Sequence, residues 1–239
     1  MAERLANRGG LEITLSLAGR TASPARQPVP VRVGGFGGAA GLADYLIRQR
    51  IAAVIDATHP YAAAISANVA EAARKTHVPL LVLHRPPWIA VPGDRWTEVD
   101  DARAALCVLG QSPRRVFVAL GRNELAPFAE APQHHYLIRS VDPVDPPLPL
   151  PHARYITGRG PFSEGDDRAL MIAHGIDAVI AKNSGGSVTY GEIAAARTLG
   201  IEVFILRRPP APETPVVESI DDAIARLDHA LTSAAARGV

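Results

Sequence analysis

A parallel α/β architecture in two units is the fold class that this sequence predicts, and three observations predict it. Short runs rich in Val, Ile and Leu recur along the chain, each followed by a stretch with helical spacing. The runs are apolar throughout rather than alternating, as in strands buried on both faces of a parallel sheet. The pattern pauses at 110–113 and restarts, so the expected halves are 1–112 and 113–239.

The first half opens with the end of a helix at 2–8, stopped by Gly9 and Gly10. Strands follow at 13–17, ending in Ala18-Gly19-Arg20-Thr21, and at 28–33, ending in Gly34-Gly35-Phe36-Gly37-Gly38. Residues 39–50 read as a helix and 51–55 as a buried strand that ends at Asp56. A helix from 60 to 75 places Pro60 in its first turn, where the missing N–H costs nothing. Residues 79–83 form the next strand, 95–98 an edge strand and 100–109 a short helix.

The second half begins with a strand at 115–120, running into Gly121-Arg122, and a short helix at 123–130. A strand at 136–141 leads to a proline-rich loop over 142–151. The strand at 154–157 ends in Gly158-Arg159-Gly160-Pro161 and precedes a helix at 164–174. The strand at 178–181 ends in Lys182-Asn183-Ser184-Gly185-Gly186 before a helix at 189–199. A strand at 202–206 and a helix at 219–235 complete the pattern.

Composition narrows the function classes. A net charge of +1 supplies no field to draw the chain to nucleic acid. No apolar stretch approaches the roughly 20 residues of a membrane span, and the first residues lack the apolar core of a signal peptide. A reducing cytoplasm is therefore expected. The one cysteine, Cys107, excludes an internal disulfide framework and reads as a small buried hydrophobe. His134 and His135 are adjacent and point apart, with no acidic cluster around them, so no metal is expected.

In open α/β sheets, ligands bind beyond the carboxyl ends of the strands. Here those ends are rich in glycine and cations. Glycine lets backbone N–H groups approach a ligand, and helix N-termini favour anions. In a dinucleotide site, an acidic residue near the second strand holds the ribose of NAD; Arg20 and Thr21 stand there instead, which suits the 2′-phosphate of NADPH. Gly19, Gly35, Phe36 and Gly37 complete a candidate cofactor surface, although 34–38 reads equally as a plain turn. Thr58 is a candidate N-cap or cofactor contact. His59 and Tyr61 are candidate proton donors or ligand contacts. Lys182, Asn183 and Ser184 are placed to grip a phosphate or a carboxylate, or to cap the next helix.

Six motifs occur in one order: DATHPYA from 56, RPPW at 85–88, LGRNELAPF at 120–128, HHYLIRSVDP at 134–143, GRGPF at 158–162 and KNSGG at 182–186. Together they resemble the precorrin-6A reductase family, and the resemblance spans essentially the whole chain. It implies two Rossmann-like domains with a ligand cleft between them. It also implies NADPH-dependent reduction of precorrin-6A to precorrin-6B in cobalamin biosynthesis, by hydride transfer to the macrocycle. The substrate is a polycarboxylate, and Arg85, Arg122, Arg159 and Lys182 would pair with its carboxylates. Tyr61, Gly160, Asn183 and Ser184 join them at the substrate. The hydride comes from the nicotinamide, so no residue is assigned as the catalyst. Contact with neighbouring pathway enzymes is the macromolecular partnership the resemblance leaves open.

The chain departs from the resemblance at its start. Family members begin with a strand and a Gly-Gly-Thr-type turn for the cofactor pyrophosphate, whereas this chain begins within the helix that follows. The expectation is a start about a dozen residues too late, or a truncation. Three alternatives stay open: a cobalt-precorrin-6A reductase of the anaerobic pathway, a non-catalytic tetrapyrrole carrier, and a sugar-nucleotide transferase.

Overall fold

A computed structural model describes residues 1–19, 24–210 and 214–236. The chain forms two compact units, Met1–Arg85 with Pro209–Val239, and Pro86–Arg208. The division differs from the expected halves because strand pairing, not chain order, sets it.

The first unit contains α1 (Ala2–Ala6), β1 (Leu15–Leu17), β2 (Val31–Val33), α2 (Gly38–Arg48), β3 (Val54–Asp56), α3 (Ala63–Thr76) and β4 (Leu80–Leu83). β1 and β2 pair in parallel as one sheet, and a second parallel sheet holds β3 and β4. Leu42, Ala43 and Leu46 of α2 pack against Ala72 of α3, where the small side chain lets the helices approach. α3 starts three residues later than expected. The Ala62 N–H bonds the His59 carbonyl in a turn that carries Pro60, and Thr58 does not cap the helix.

The second unit contains β5 (Trp96–Val99), α4 (Ala102–Leu109), β6 (Arg115–Ala119), β7 (His135–Ser140), β8 (Ala153–Thr157), α5 (Glu164–His174), β9 (Ala178–Lys182), α6 (Gly191–Leu199) and β10 (Glu202–Leu206). The chain then returns to the first unit, where β11 (Val216–Val217) pairs with β4 and α7 (Ile220–Ala236) follows. β11 is a strand that the sequence pattern leaves unassigned.

The second unit's sheet has the order β5-β10-β9-β6-β7-β8, with every pair parallel. β5 is its edge strand, paired along β10, which explains why residues before 112 belong to this unit. The central strands are apolar because both faces are covered: Val116, Phe117 and Val118 of β6 and Val179 and Ile180 of β9 are fully buried. Side-chain caps start two of its helices, Asp101 for α4 and Ser163 for α5. Cys107 lies on the exposed side of α4, not in the core, because Ala102, Ala105 and Leu109 form the buried face. The expected helix at 123–130 is instead two 3-10 turns, Arg122–Glu124 and Ala126–Glu130. Pro127 has no N–H, so an α-helical ladder cannot run through it.

Candidate active site

Between β6 and β9 the direction of chain winding reverses. β7 and β8 are laid to one side of β6, while β9, β10 and β5 lie on the other. At such a switch point the loops leave neighbouring strands in opposite directions and open a crevice at the carboxyl ends. Gly121 and Arg122 follow β6, and Lys182 is the last residue of β9. The Lys182 Nζ donates to Glu124 Oε1 at 2.6 Å. Arg122, exposed, donates at 3.5 Å to the Pro143 carbonyl beyond β7. The fold thus brings Arg122 and Lys182 to the tips of adjoining strands.

The loop after β9 is closely fastened. The Asn183 carboxamide accepts from the Trp88 N–H at 2.7 Å and donates to the Trp88 carbonyl at 3.0 Å. Its side chain thus joins two loops. The Arg208 Nε donates to the Asn183 carbonyl at 2.7 Å, and the Trp88 indole N–H donates to the Gly186 carbonyl at 2.7 Å. Gly185 sits at φ +68°, and a Cβ there would lie 2.2 Å from the Pro86 carbonyl oxygen. Only glycine fits that position. The Ser184 N–H bonds the Lys182 carbonyl at 2.8 Å.

Arg159 and Gly160 follow β8, and Arg159 is exposed. A Cβ on Gly160 would meet Val188 at 2.8 Å, so the loops after β8 and β9 touch here. Beneath this loop lies a buried ionic cluster. Arg139 of β7 donates to Asp167 of α5 and, at 2.6 Å, to Glu192 of α6. Its guanidinium lies 3.7 Å above the Phe162 ring. One cation faces two carboxylates. Burial pushes the Glu192 carboxyl up to about 7, the Asp167 charge adds to this, and Arg139 opposes it.

In the first unit, two groups of predicted residues assemble. Gly19, at φ +76°, would place a Cβ 3.6 Å from the Gly34 nitrogen, so the turns after β1 and β2 lie side by side. Arg20 and Thr21 lie outside the described residues. Arg32 lies 3.7 Å over the Phe36 ring and donates to the Gly35 carbonyl at 2.8 Å. Gly37 follows at φ +82° and leads into α2. After β3, Asp56 Oδ1 accepts from the Thr58 N–H at 3.0 Å, and the Thr58 and Ser66 hydroxyls are 3.2 Å apart. The His59 Nδ1 accepts from the Tyr61 N–H at 3.3 Å, so a neutral ring carries its proton on Nε2. The two rings are 5.6 Å apart, with His59 exposed and Tyr61 half-buried. Arg85 follows β4, half-buried, as the last residue before the second unit.

Sequence reasoning missed Arg32, Glu124 and Trp88 as partners of these residues. Glu124 and Trp88 stand inside the quoted motifs, but their partners are 58 and 95 residues away. His134 belongs to the core: it is fully buried, its Nδ1 accepts from the Arg114 N–H at 3.2 Å, and burial lowers its pKa. Among the described residues no three His, Cys, Asp or Glu side chains group to hold a metal, and no helix is long and apolar enough to cross a membrane.

Known proteins share this sequence and this geometry. The family model described as "Precorrin-6x reductase CbiJ/CobK" matches residues 1–228. A precorrin-6A reductase of Sinorhizobium sp. is 53% identical over 234 residues, which cover 98% of this chain and 90% of that protein. Its counterpart from Rhodobacter capsulatus is 47% identical over 233 residues, 97% and 92% of the two chains. A cobalt-precorrin-6A reductase of Priestia megaterium is 27% identical over 203 residues, 80% and 77% of the two. A solved structure titled "CobK precorrin-6A reductase" matches with a TM-score of 0.92 at 47% identity, covering 96% of this chain and 91% of that one. With its motifs, its parallel sheets and its near-complete coverage all in agreement, the chain belongs to the precorrin-6x reductase CbiJ/CobK family.

Proposed function

We propose that this chain reduces precorrin-6A to precorrin-6B, with NADPH as the hydride donor, in the cytoplasm. The observation that carries the reading is the gap in identity. Five precorrin-6A reductases are 44–53% identical to the chain, whereas three cobalt-precorrin-6A reductases are 26–28% identical. The metal-free macrocycle is therefore the substrate.

NADPH supplies the hydride when bound, and the chain's residues bind and orient. Gly34, beside Gly19, has open space where a Cβ would stand, which leaves its backbone within reach of a ligand, as a dinucleotide requires. Gly35, Phe36, Gly37, Thr58 and His59 extend this surface, and Arg20 and Thr21 meet the 2′-phosphate. Arg85, Arg122, Arg159 and Lys182 receive macrocycle carboxylates, with Gly160, Asn183 and Ser184 beside them at the substrate. Tyr61 contacts the macrocycle, and either it or His59 donates a proton.

The test is nicotinamide oxidation by the purified chain with precorrin-6A, NADPH or NADH, and the cobalt-containing macrocycle. Turnover with precorrin-6A and NADPH is expected to exceed every other pairing. Binding of the macrocycle without nucleotide consumption would identify a carrier instead, and faster turnover of the cobalt form would overturn the substrate.

A further inference from the structure

We infer that Glu124 is a positioning residue, which holds the Lys182 ammonium over Gly121 so that the cation meets an oxyanion of the bound ligand. The inference rests on the reading of the crevice between β6 and β9 as part of the ligand site.

Three observations carry it. The Glu124–Lys182 pair joins the loops beyond the two strands between which the winding reverses. The Lys182 side chain is only 13% exposed, so its ammonium is largely withdrawn from water and the carboxylate at 2.6 Å compensates it. Gly121 has φ −74° and ψ 155°, a conformation open to any residue, so glycine is not there for backbone freedom. It is there for space. A Cβ at 121 would lie 2.6 Å from Glu124 Oε2 and 3.7 Å from Lys182 Nζ. Glu124 Oε2 itself is buried and makes no hydrogen bond.

A lysine side chain loses rotamer freedom when it is fixed. Glu124 fixes it before the ligand arrives, so that cost is removed from binding. The chemical class of the target is an oxyanion: a carboxylate of the macrocycle on the reading above, with a phosphate of the dinucleotide as the other outcome of the test.

The test is a double-mutant cycle on kcat/KM, with each ligand varied in turn and rates referred to folded protein. Removing one charge-assisted bond corresponds to a ten- to hundredfold loss in K182A. E124Q is expected to lose about tenfold, E124D to recover most of that loss, and E124Q–K182A to fall no lower than K182A alone. G121A should reproduce the E124Q loss with little change in stability, because its methyl displaces only the end of the Glu124 side chain. Whichever KM rises in K182A, that of the macrocycle or that of NADPH, names the oxyanion. A wild-type rate in E124Q, or losses that multiply in the double variant, would overturn the inference. If the wild-type chain reduces no precorrin-6A, the functional reading fails, and the same cycle run on the binding constants of the two ligands still decides the role of Glu124.

Discussion

The Arg139–Asp167–Glu192 cluster makes a quantitative prediction about stability and pH. Two carboxylates share one guanidinium in a buried site, so the Glu192 carboxyl is pushed up from 4.5 to about 7, chiefly by burial. The folded state therefore holds a proton between these values that the unfolded chain releases. Stability from this group is fully present below about 4.5 and is lost as pH rises through about 7. Replacing Glu192 by Gln keeps a hydrogen-bond acceptor for Arg139 and removes the titration. A tenfold difference in proton affinity between folded and unfolded chain is worth about 1.4 kcal/mol, and about one and a half such factors act above pH ~5.5. Relative to E192Q, the wild-type chain should thus lose about 2 kcal/mol between pH ~5.5 and pH ~8. Urea unfolding followed by tryptophan fluorescence measures this directly, because both tryptophans, Trp88 and Trp96, lie in the same unit as the cluster. His134 is lowered by burial and destabilises the fold on the acid side, but it is common to both proteins and cancels in the difference. Parallel stability–pH curves for the wild type and E192Q would refute the reasoning.

Three further substitutions probe the loops. Gly185→Ala places a methyl 2.2 Å from the Pro86 carbonyl at φ +68°, and urea unfolding should show a loss of more than about 2 kcal/mol. Asn183→Ala strips two hydrogen bonds from the Trp88 backbone and should cost about 2 kcal/mol, with a change in the Trp88 emission that Trp96 does not share. Arg20→Ala should weaken the preference for NADPH over NADH in steady-state kinetics; an unchanged ratio would remove Arg20 from the cofactor site.

The parallel α/β class is legible because strands such as 115–119 and 178–182 are apolar on both faces, and burial on both faces is what the sheet requires. The limits of legibility follow from contacts that cross long stretches of chain. β5 looks like the tail of the first half until β10, more than a hundred residues later, pairs with it. β11 is two residues long, too short for periodicity to register, and its place depends on β4. The tip residues are legible as Gly-plus-cation motifs, yet their partners are not. Nothing in KNSGG tells that Asn183 serves Trp88 or that Lys182 serves Glu124, because those carboxamide and ammonium contacts exist only once the strands are side by side. Thr58 shows the converse: the turn at Pro60 overrules a good capping residue, whose hydroxyl goes to Ser66 instead.

The reaction proposed for this chain moves a hydride from a nicotinamide to a tetrapyrrole carbon. Turnover of precorrin-6A with NADPH carrying deuterium at the transferable C4 position, followed by mass spectrometry of the macrocycle, tests it most directly. The predicted result is one deuterium in each product molecule and one equivalent of NADPH oxidised. A reduced macrocycle without deuterium, or an unreduced one that simply remains bound, would contradict it.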